Sequence, residues 1–366
     1  MILVNNPGSW QHIYSPLEHA KWHGLTPTDL VFPFFLFAVG NAMAFVQPRL
    51  KAAGEAAFWK KILTRTILIF AIGIFLNWFP FVQWQNDELV AKGWTWTRGD
   101  GEQGGIRILG VLQRIALSYF FASIIVYYSR VRTAAIIGAL LLVLYWILCL
   151  AGNPADPYSM TGWFGNGIDK AVLGEAHMYH GEGIAFEPEG IMSTIPSIVQ
   201  VVIGFIVGNF LRTNNKENIF QTLTVLFVGA VGLLFAAYWW DLVFPINKKI
   251  WTGSFVLVTS GLAILLLGVF VYFIEIKNLR GAWSRFFDAF GKNALFIYAL
   301  SGLFPKLLGM TRLSEGRTAW GWFYQNVTSR FPGRPENGSL LFALSFIFLL
   351  WLIAYWMDRR KIYIRV

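Results

Sequence analysis

Long apolar stretches alternate with short polar connections along the whole chain, and the stretches set the predicted architecture. A bilayer-crossing helix needs about 20 mostly apolar residues. Nine runs approach that length: Leu30–Val46, Ile62–Val82, Ile108–Tyr128, Ala134–Leu150, Ile191–Leu211, Leu223–Trp240, Phe255–Ile274, Phe286–Leu308 and Leu340–Met357. Internal Pro and Gly do not demote them, because neighbouring helices satisfy the freed backbone groups. Gly204 and Gly208 form a small-xxx-small pair that predicts close helix packing. The pattern therefore predicts an all-α, polytopic transmembrane bundle, one domain over residues 1–366, with no internal repeat and no linker. Met1-Ile-Leu-Val is apolar but too short to span, and it lacks the basic region of a signal peptide. Residues 1–6 read as the remnant of a first helix, ten helices in all.

Composition agrees: 56% of residues are hydrophobic, 14% are charged and the mean hydropathy is +0.52. A soluble domain carries roughly a quarter charged residues, so an ordinary cytosolic enzyme and a disordered chain are both excluded. The net charge of +10 becomes informative once divided by position. Gln47–Arg65, Ser129–Arg132, Arg212–Glu217, Glu275–Arg285 and the tail Asp358–Val366 together hold 16 Lys and Arg against four acids. The remainder holds 14 basic and 16 acidic residues. By the positive-inside rule the first set is cytoplasmic. The expected placement is a multi-pass protein of the cell inner membrane with a cytoplasmic C-terminus, residues 7–28 and 151–190 forming extracytoplasmic loops. The basic excess then reports on the lipid bilayer, not on nucleic acid. The single cysteine, Cys149, excludes an internal disulfide framework and any multi-cysteine metal site.

Candidate chemistry collects on the outer side. All five histidines (His12, His19, His23, His177 and His180) fall in outward-facing segments. Imidazole is the side chain whose charge ordinarily changes near neutral pH, so this asymmetry points to an acid–base site or to metal ligation. The pairs His19/His23 and His177/His180 are i,i+4 and i,i+3, but neither sits in an H-E-x-x-H frame, and no metal is expected. The densest polar cluster, Leu17–Pro33, runs directly into a predicted helix. There Thr28 or Asp29 would cap the helix, or Asp29 would instead orient His19 from the membrane boundary.

Arg107 and Arg114 lie seven residues apart, on nearly one helix face, with Arg114 about 10 Å deeper at 1.5 Å per residue. Arg107 can snorkel to the interface, whereas Arg114 needs a polar cavity or a carboxylate and is a candidate for binding an anionic group. Phe186-Glu187-Pro188-Glu189-Gly190 and Phe244–Lys249 open onto the same side. Asn293, an amide inside a predicted span, reads as a helix–helix hydrogen bond. Outward aromatics such as Trp10, Trp22 and Trp163 are of a kind that stacks on sugar rings. There is no Walker motif, and the Gly-rich piece Gly99–Gly105 lacks the strand and helix that a dinucleotide loop requires.

These residues also carry a resemblance. Val4-Asn5-Asn6-Pro7-Gly8, Pro16–Thr26 and Asp29-Leu30-Val31-Phe32-Pro33 resemble the heparan-α-glucosaminide N-acetyltransferase family of transmembrane acyltransferases. Arg107–Arg114, Pro188-Glu189-Gly190, Pro245-Ile246-Asn247-Lys248 and Asn293-Ala294 extend it over the chain. The resemblance implies acetyl transfer from cytosolic acetyl-CoA to the amine of a glucosamine-type sugar or glycan across the membrane. It makes His19 the active histidine, as base or as acetyl carrier, and Asn5 its partner. Asp29 would fix the tautomer of His19. On electrostatic grounds Arg107, Gln113, Arg114 and Lys248 are expected at acetyl-CoA, and Trp22, His23, Glu189 and Asn247 at the acceptor. Bacterial relatives carry transporter labels, so an amino-sugar transporter without chemistry and a membrane O-acetyltransferase are the alternatives. A homo-oligomer is left open. Relatives have a complete first helix with a basic lead-in, which is expected ahead of Met1.

Overall fold

In the computed structural model the chain is described over residues 1–85, 88–97, 103–214, 218–313 and 317–364. Helix α1 is a single turn (Ile2–Asn5). The long helices are α2 (Val31–Ala53), α3 (Glu55–Trp78), α4 (Val111–Tyr128), α5 (Val131–Gly152), α7 (Thr194–Thr213), α8 (Ile219–Asp241), α9 (Gly253–Val271) and α13 (Pro335–Arg359). Between them lie α6 (Phe164–Leu173), α10 (Ala282–Lys292), α11 (Ala294–Met310) and α12 (Ala319–Phe323). Among the described residues, eight helices are long and apolar enough to cross a membrane, or nine if the bent pair α10–α11 counts as one. The predicted all-α transmembrane bundle is thus observed.

The differences have physical causes. The run Phe286–Leu308 is not one straight span: it breaks at Asn293 with an 80° bend. Only one face of α10 is apolar, so it can bury Ala289 and half-bury Phe290 while leaving Arg285 and Lys292 in water. Lys292 is tied to Asp358 at 2.8 Å. The Asn293 amide bonds no neighbouring helix; its Nδ2 donates to Ile362 O (3.0 Å) and its Oδ1 accepts from Ile364 N (2.8 Å), fastening the tail at the bend.

The run Ile62–Val82 stops at Trp78, and Val82 begins a strand. Two small antiparallel hairpins follow, β1 (Val82–Gln85) with β2 (Glu88–Ala91) and β3 (Thr95–Thr97) with β4 (Gln103–Gly105). Of the Gly-rich piece, residues 103–105 are strand and 99–102 lie outside the described residues. The basic stretch Gln47–Arg65 is almost wholly helical, interrupted only at Gly54, whose φ of 87° suits glycine.

Helix α7 lies at the centre, and α2 packs on it backbone to backbone. A Cβ on Gly204 would stand 2.1 Å from Phe37 O, one on Gly208 2.6 Å from Asn41 O, and one on Gly40 1.9 Å from Val201 O. Backbone oxygens in helices cannot give way as a flexible side chain can. Gly204→Val is therefore expected to destabilise the bundle by at least about 1–3 kcal/mol, the usual cost of overpacking, read as a lower unfolding temperature in detergent. An unchanged melting curve would refute this account of the packing.

Buried polar groups line the seams of the bundle. Ser118 on α4 bonds Ser197 on α7 (2.7 Å), and Gln200 on α7 bonds Ser260 (3.1 Å) and Thr259 (3.2 Å) on α9. With α2 and α7 locked together, their ends fix the floor on which the loops of the candidate site rest.

Candidate active site

Four separate stretches converge on a cavity of about 210 Å³, whose wall includes His19, Asp29, Arg107, Glu189, Lys248 and Lys249. The first stretch is the polar segment leading into α2. Gly24 takes φ 107°, and its N–H donates to Ile246 O at 2.8 Å, tying this segment to the turn before α9. Residues Pro27–Leu30 then form a 3₁₀ turn that continues into α2.

Asp29, 1% exposed, divides its two oxygens. Oδ1 lies 2.6 Å from His19 Nδ1. Oδ2 accepts from Ala20 N (3.0 Å), Thr26 N (3.1 Å) and the Thr26 hydroxyl (3.0 Å). Capping and histidine orientation, alternatives in the sequence, are both performed by this one carboxylate. Neither Thr28 nor Asp29 is the N-cap: Thr26 holds that position, and Asp29 reaches back to it from the third residue of the turn. The Thr28 hydroxyl is turned away, donating to Pro16 O at 3.2 Å.

The second stretch is the turn Phe244–Trp251. Asn247, fully buried, accepts from Lys249 N (2.7 Å) and Ile250 N (3.1 Å) and donates its own N–H to Thr252 Oγ1 (3.0 Å). This holds Lys248 over the pair, with Nζ 3.0 Å from His19 Nδ1 and 3.3 Å from Asp29 Oδ1. Burial lowers the proton affinity of Lys248, and the carboxylates of Asp29 and Glu189 oppose that effect. Lys248 thus stands at the histidine–carboxylate couple, where sequence reasoning had grouped it with the donor-binding residues. Lys249 pairs with Glu182 and donates to Lys21 O at 2.9 Å.

The third and fourth stretches, Arg107 and Glu187–Ser193, brace each other. Arg107 Nε donates to Glu187 Oε2 at 2.9 Å, while its Nη2 bonds both Glu187 and Glu189. Burial alone would lower the proton affinity of Arg107, but the two carboxylates reverse this and raise it. Burial raises Glu187. The same effect on Glu189 is outweighed by Arg107, Arg114 and Lys248, which hold its carboxyl low. Arg114, with no exposed surface, meets neither a carboxylate nor an open cavity. It donates to Gly190 O at 3.1 Å and to the Ser193 hydroxyl, beneath the Trp251 ring at 5.1 Å. Asp169 accepts from Ile191 N at 2.8 Å, and burial pushes its carboxyl up to about 7.

Several sequence candidates lie elsewhere. Asn5 is exposed at the end of α1 and does not line the cavity. Gln113 is buried against Gly73 and Gly110. The Trp22 indole donates to Tyr158 O (2.8 Å) and packs edge-on against Phe186. His23 receives a bond from Asn247 Nδ2 at 3.3 Å. Trp163 is 1% exposed in a core cluster and offers no face for a sugar. His177 bonds Ile106 O (2.7 Å) and His180 bonds Met178 O (3.0 Å), so of the five histidines only His19 lines the cavity. Sequence reasoning missed Tyr179, Glu182 and Lys249 in the wall. Only the position of Lys249 beside Lys248 and of Tyr179 between two loop histidines could have hinted at them.

A second cavity, about 300 Å³, lies on the other side of the first turn of α4: Val111 borders the first cavity and Leu112 the second. Its wall is largely apolar, including Phe35, Ile69, Ile115 and Leu295, and it reaches Ile364 of the tail. Arg65 is its charged group, 4.8 Å over the Tyr119 ring, with a buried Nε that bonds no described residue.

Fold and site together define a multi-pass helical membrane protein with a histidine–carboxylate couple in a charged cavity at one end of the bundle. The chain is similar to heparan-alpha-glucosaminide N-acetyltransferase of Homo sapiens, at 24% identity over 100% of this chain and 58% of the relative. The Mus musculus protein of the same name is 24% identical over 83% of this chain and 52% of its own length. This chain therefore spans little more than half the length of those relatives. The resemblance read from the sequence is borne out at this distance. No family model matches the chain.

Proposed function

We propose that the protein is a transmembrane N-acetyltransferase that moves acetyl from acetyl-CoA to the amine of a glucosamine-type sugar, with His19 as the proton acceptor. The observation that carries this reading is the His19–Asp29 couple at 2.6 Å in the wall of a cavity that also holds fixed cations. A 2.6 Å contact between an imidazole nitrogen and a carboxylate oxygen needs a proton between them. With Asp29 ionised, Nδ1 carries that proton. The lone pair is then on Nε2, which bonds no described residue. A sugar ammonium must lose a proton before its nitrogen can attack a thioester. His19 Nε2 accepts it, the new C–N bond forms and the C–S bond breaks; the second proton, shed by the nitrogen as the amide forms, goes to the departing sulfur, so CoA leaves as the thiol. Lys248 and Lys249, held by Asp29 and Glu182, are the fixed cations of the cavity wall.

The donor side follows from the second cavity. Arg107 is engaged by Glu187 and Glu189, and Arg114, although its Nε and Nη1 bond no described residue, has no exposed surface and borders neither cavity, which leaves both poorly suited to phosphates. Arg65, with a buried donor that bonds no described residue, is the better partner for an anionic group, and the apolar wall beside it suits an extended pantetheine arm. In the orientation drawn from the basic connections, Arg65 faces the cytoplasmic half and His19 the outside.

The test is reconstitution in vesicles, with acetyl-labelled CoA on the Arg65 side and glucosamine on the His19 side. Label is expected on the sugar amine. Sugar flux that ignores acetyl-CoA, with no labelled product, would replace the enzyme by a transporter.

A further inference from the structure

We propose that Lys248 is a positioning residue acting through His19: its ammonium takes up the charge of Asp29 and so keeps the imidazole uncharged, with Nε2 free toward the cavity. This rests on the reading of His19 as proton acceptor and adds what keeps it ready to accept.

The argument is one of proton counting. His19 Nδ1 has two close neighbours, Asp29 Oδ1 at 2.6 Å and Lys248 Nζ at 3.0 Å, and these two lie 3.3 Å from each other. An ammonium has donors only. If Nδ1 gives its hydrogen to Asp29, Lys248 cannot also donate to Nδ1, so its bond goes to Asp29 and its charge lies against the imidazole. A histidine facing a lone carboxylate is drawn toward the imidazolium form, because the negative charge stabilises the positive one. Here a second cation already occupies the carboxylate. Asp29 keeps its orienting role, while its charge is spent on a lysine.

Among the described residues of the cavity wall, no other carboxylate is left unpaired to undo this. Of the remaining carboxylates in the cavity wall, Glu189 is bound to Arg107 and Glu182 to Lys249. Lys248 is also not free to swing away, because Asn247 fixes the turn that carries it and the lysine side chain is only 21% exposed. A base that started out protonated could not accept the proton of a sugar ammonium, so an uncharged His19 is what the reaction requires.

Diethyl pyrocarbonate acylates only the uncharged imidazole, which makes the protonation state of His19 measurable without any turnover. The purified full chain in detergent is labelled across a pH series, and the His19 peptide is followed by mass spectrometry with His12 as an internal reference. In Lys248→Met the midpoint of His19 labelling is expected to rise by about one pH unit or more, some tenfold slower labelling on the acid limb, as for a histidine left beside an unshared carboxylate. Lys248→Arg should keep the wild-type midpoint. Asp29→Asn, which removes the negative charge and leaves the lysine, should move the midpoint the other way, so the idea stays testable even where Lys248→Met does not fold. An unmoved midpoint in folded Lys248→Met, or a downward move, would overturn the proposal. Vesicle transfer measured on the same preparations separates the two readings: a wild type that labels as expected but transfers no acetyl removes the enzyme and leaves the role of Lys248 standing.

Discussion

Replacing His19 by alanine is expected to lower acetyl transfer by about 10²- to 10⁴-fold, the range contributed by a positioned general base, with little change in the amount of folded protein. The second half of that expectation comes from the geometry around Asp29. Removing the imidazole does not strand a buried charge, because Lys248 remains 3.3 Å from Asp29 Oδ1 and Oδ2 keeps its bonds to Ala20 and Thr26. His19 is itself 42% exposed on its side chain, so little packing is lost. Asp29→Asn tests the same site differently. The amide can still accept a hydrogen bond from Nδ1, but it can equally turn its NH₂ toward the ring and favour the other tautomer, which places a hydrogen on Nε2. Transfer should fall in this variant too. Both are measured as labelled sugar formed in vesicles, normalised to monodisperse protein. Wild-type rates in His19→Ala would rule out the base.

The bundle was legible in the sequence because membrane spans announce themselves by length and apolarity. Gly204 and Gly208 were legible for a related reason, since small residues one turn apart on an apolar helix mark a close approach. What periodicity could not show was where apolar runs bend. Phe286–Leu308 has the composition of a span, yet its first half buries only one face and its polar groups pair with Asp358 and the tail. The hairpins after α3 were equally hidden, since their short strands have no strong alternation.

The site divides in the same manner. His19 and Asp29 are ten residues apart and shared one dense polar cluster, so their meeting could be anticipated, but not that Asp29 would serve capping and histidine at once. Lys248 lies 229 residues from His19, and only the folded chain shows their contact. Arg107 and Arg114 looked like free cations because the carboxylate and carbonyl groups that engage them are about 80 residues away in a loop without regular pattern. Arg65 was counted as part of a basic connection, although its position ten residues into α3 sets it inside the bundle.

Arg107→Met is expected to cost about 3–5 kcal/mol of stability, the usual result of removing one partner from a buried ion pair. Glu187 has no exposed surface and the side chain of Glu189 is 13% exposed, so neither can turn to water once the guanidinium is gone. One of them would have to take up a proton, and the Glu187–Ser193 segment that also holds Arg114 would lose its anchor. A lowered unfolding temperature by fluorescence, or loss of monodisperse protein, is the expected reading. Glu187→Gln in the Arg107→Met background should restore part of the loss, because it removes the stranded charge itself; in the wild-type background the same change leaves Arg107 with Glu189 and should cost less. If Arg107 were instead a free phosphate ligand, Arg107→Met would weaken the use of acetyl-CoA and leave the melting curve in place. The two roles therefore differ in which measurement moves, and the bidentate grip on Glu187 predicts that it is stability.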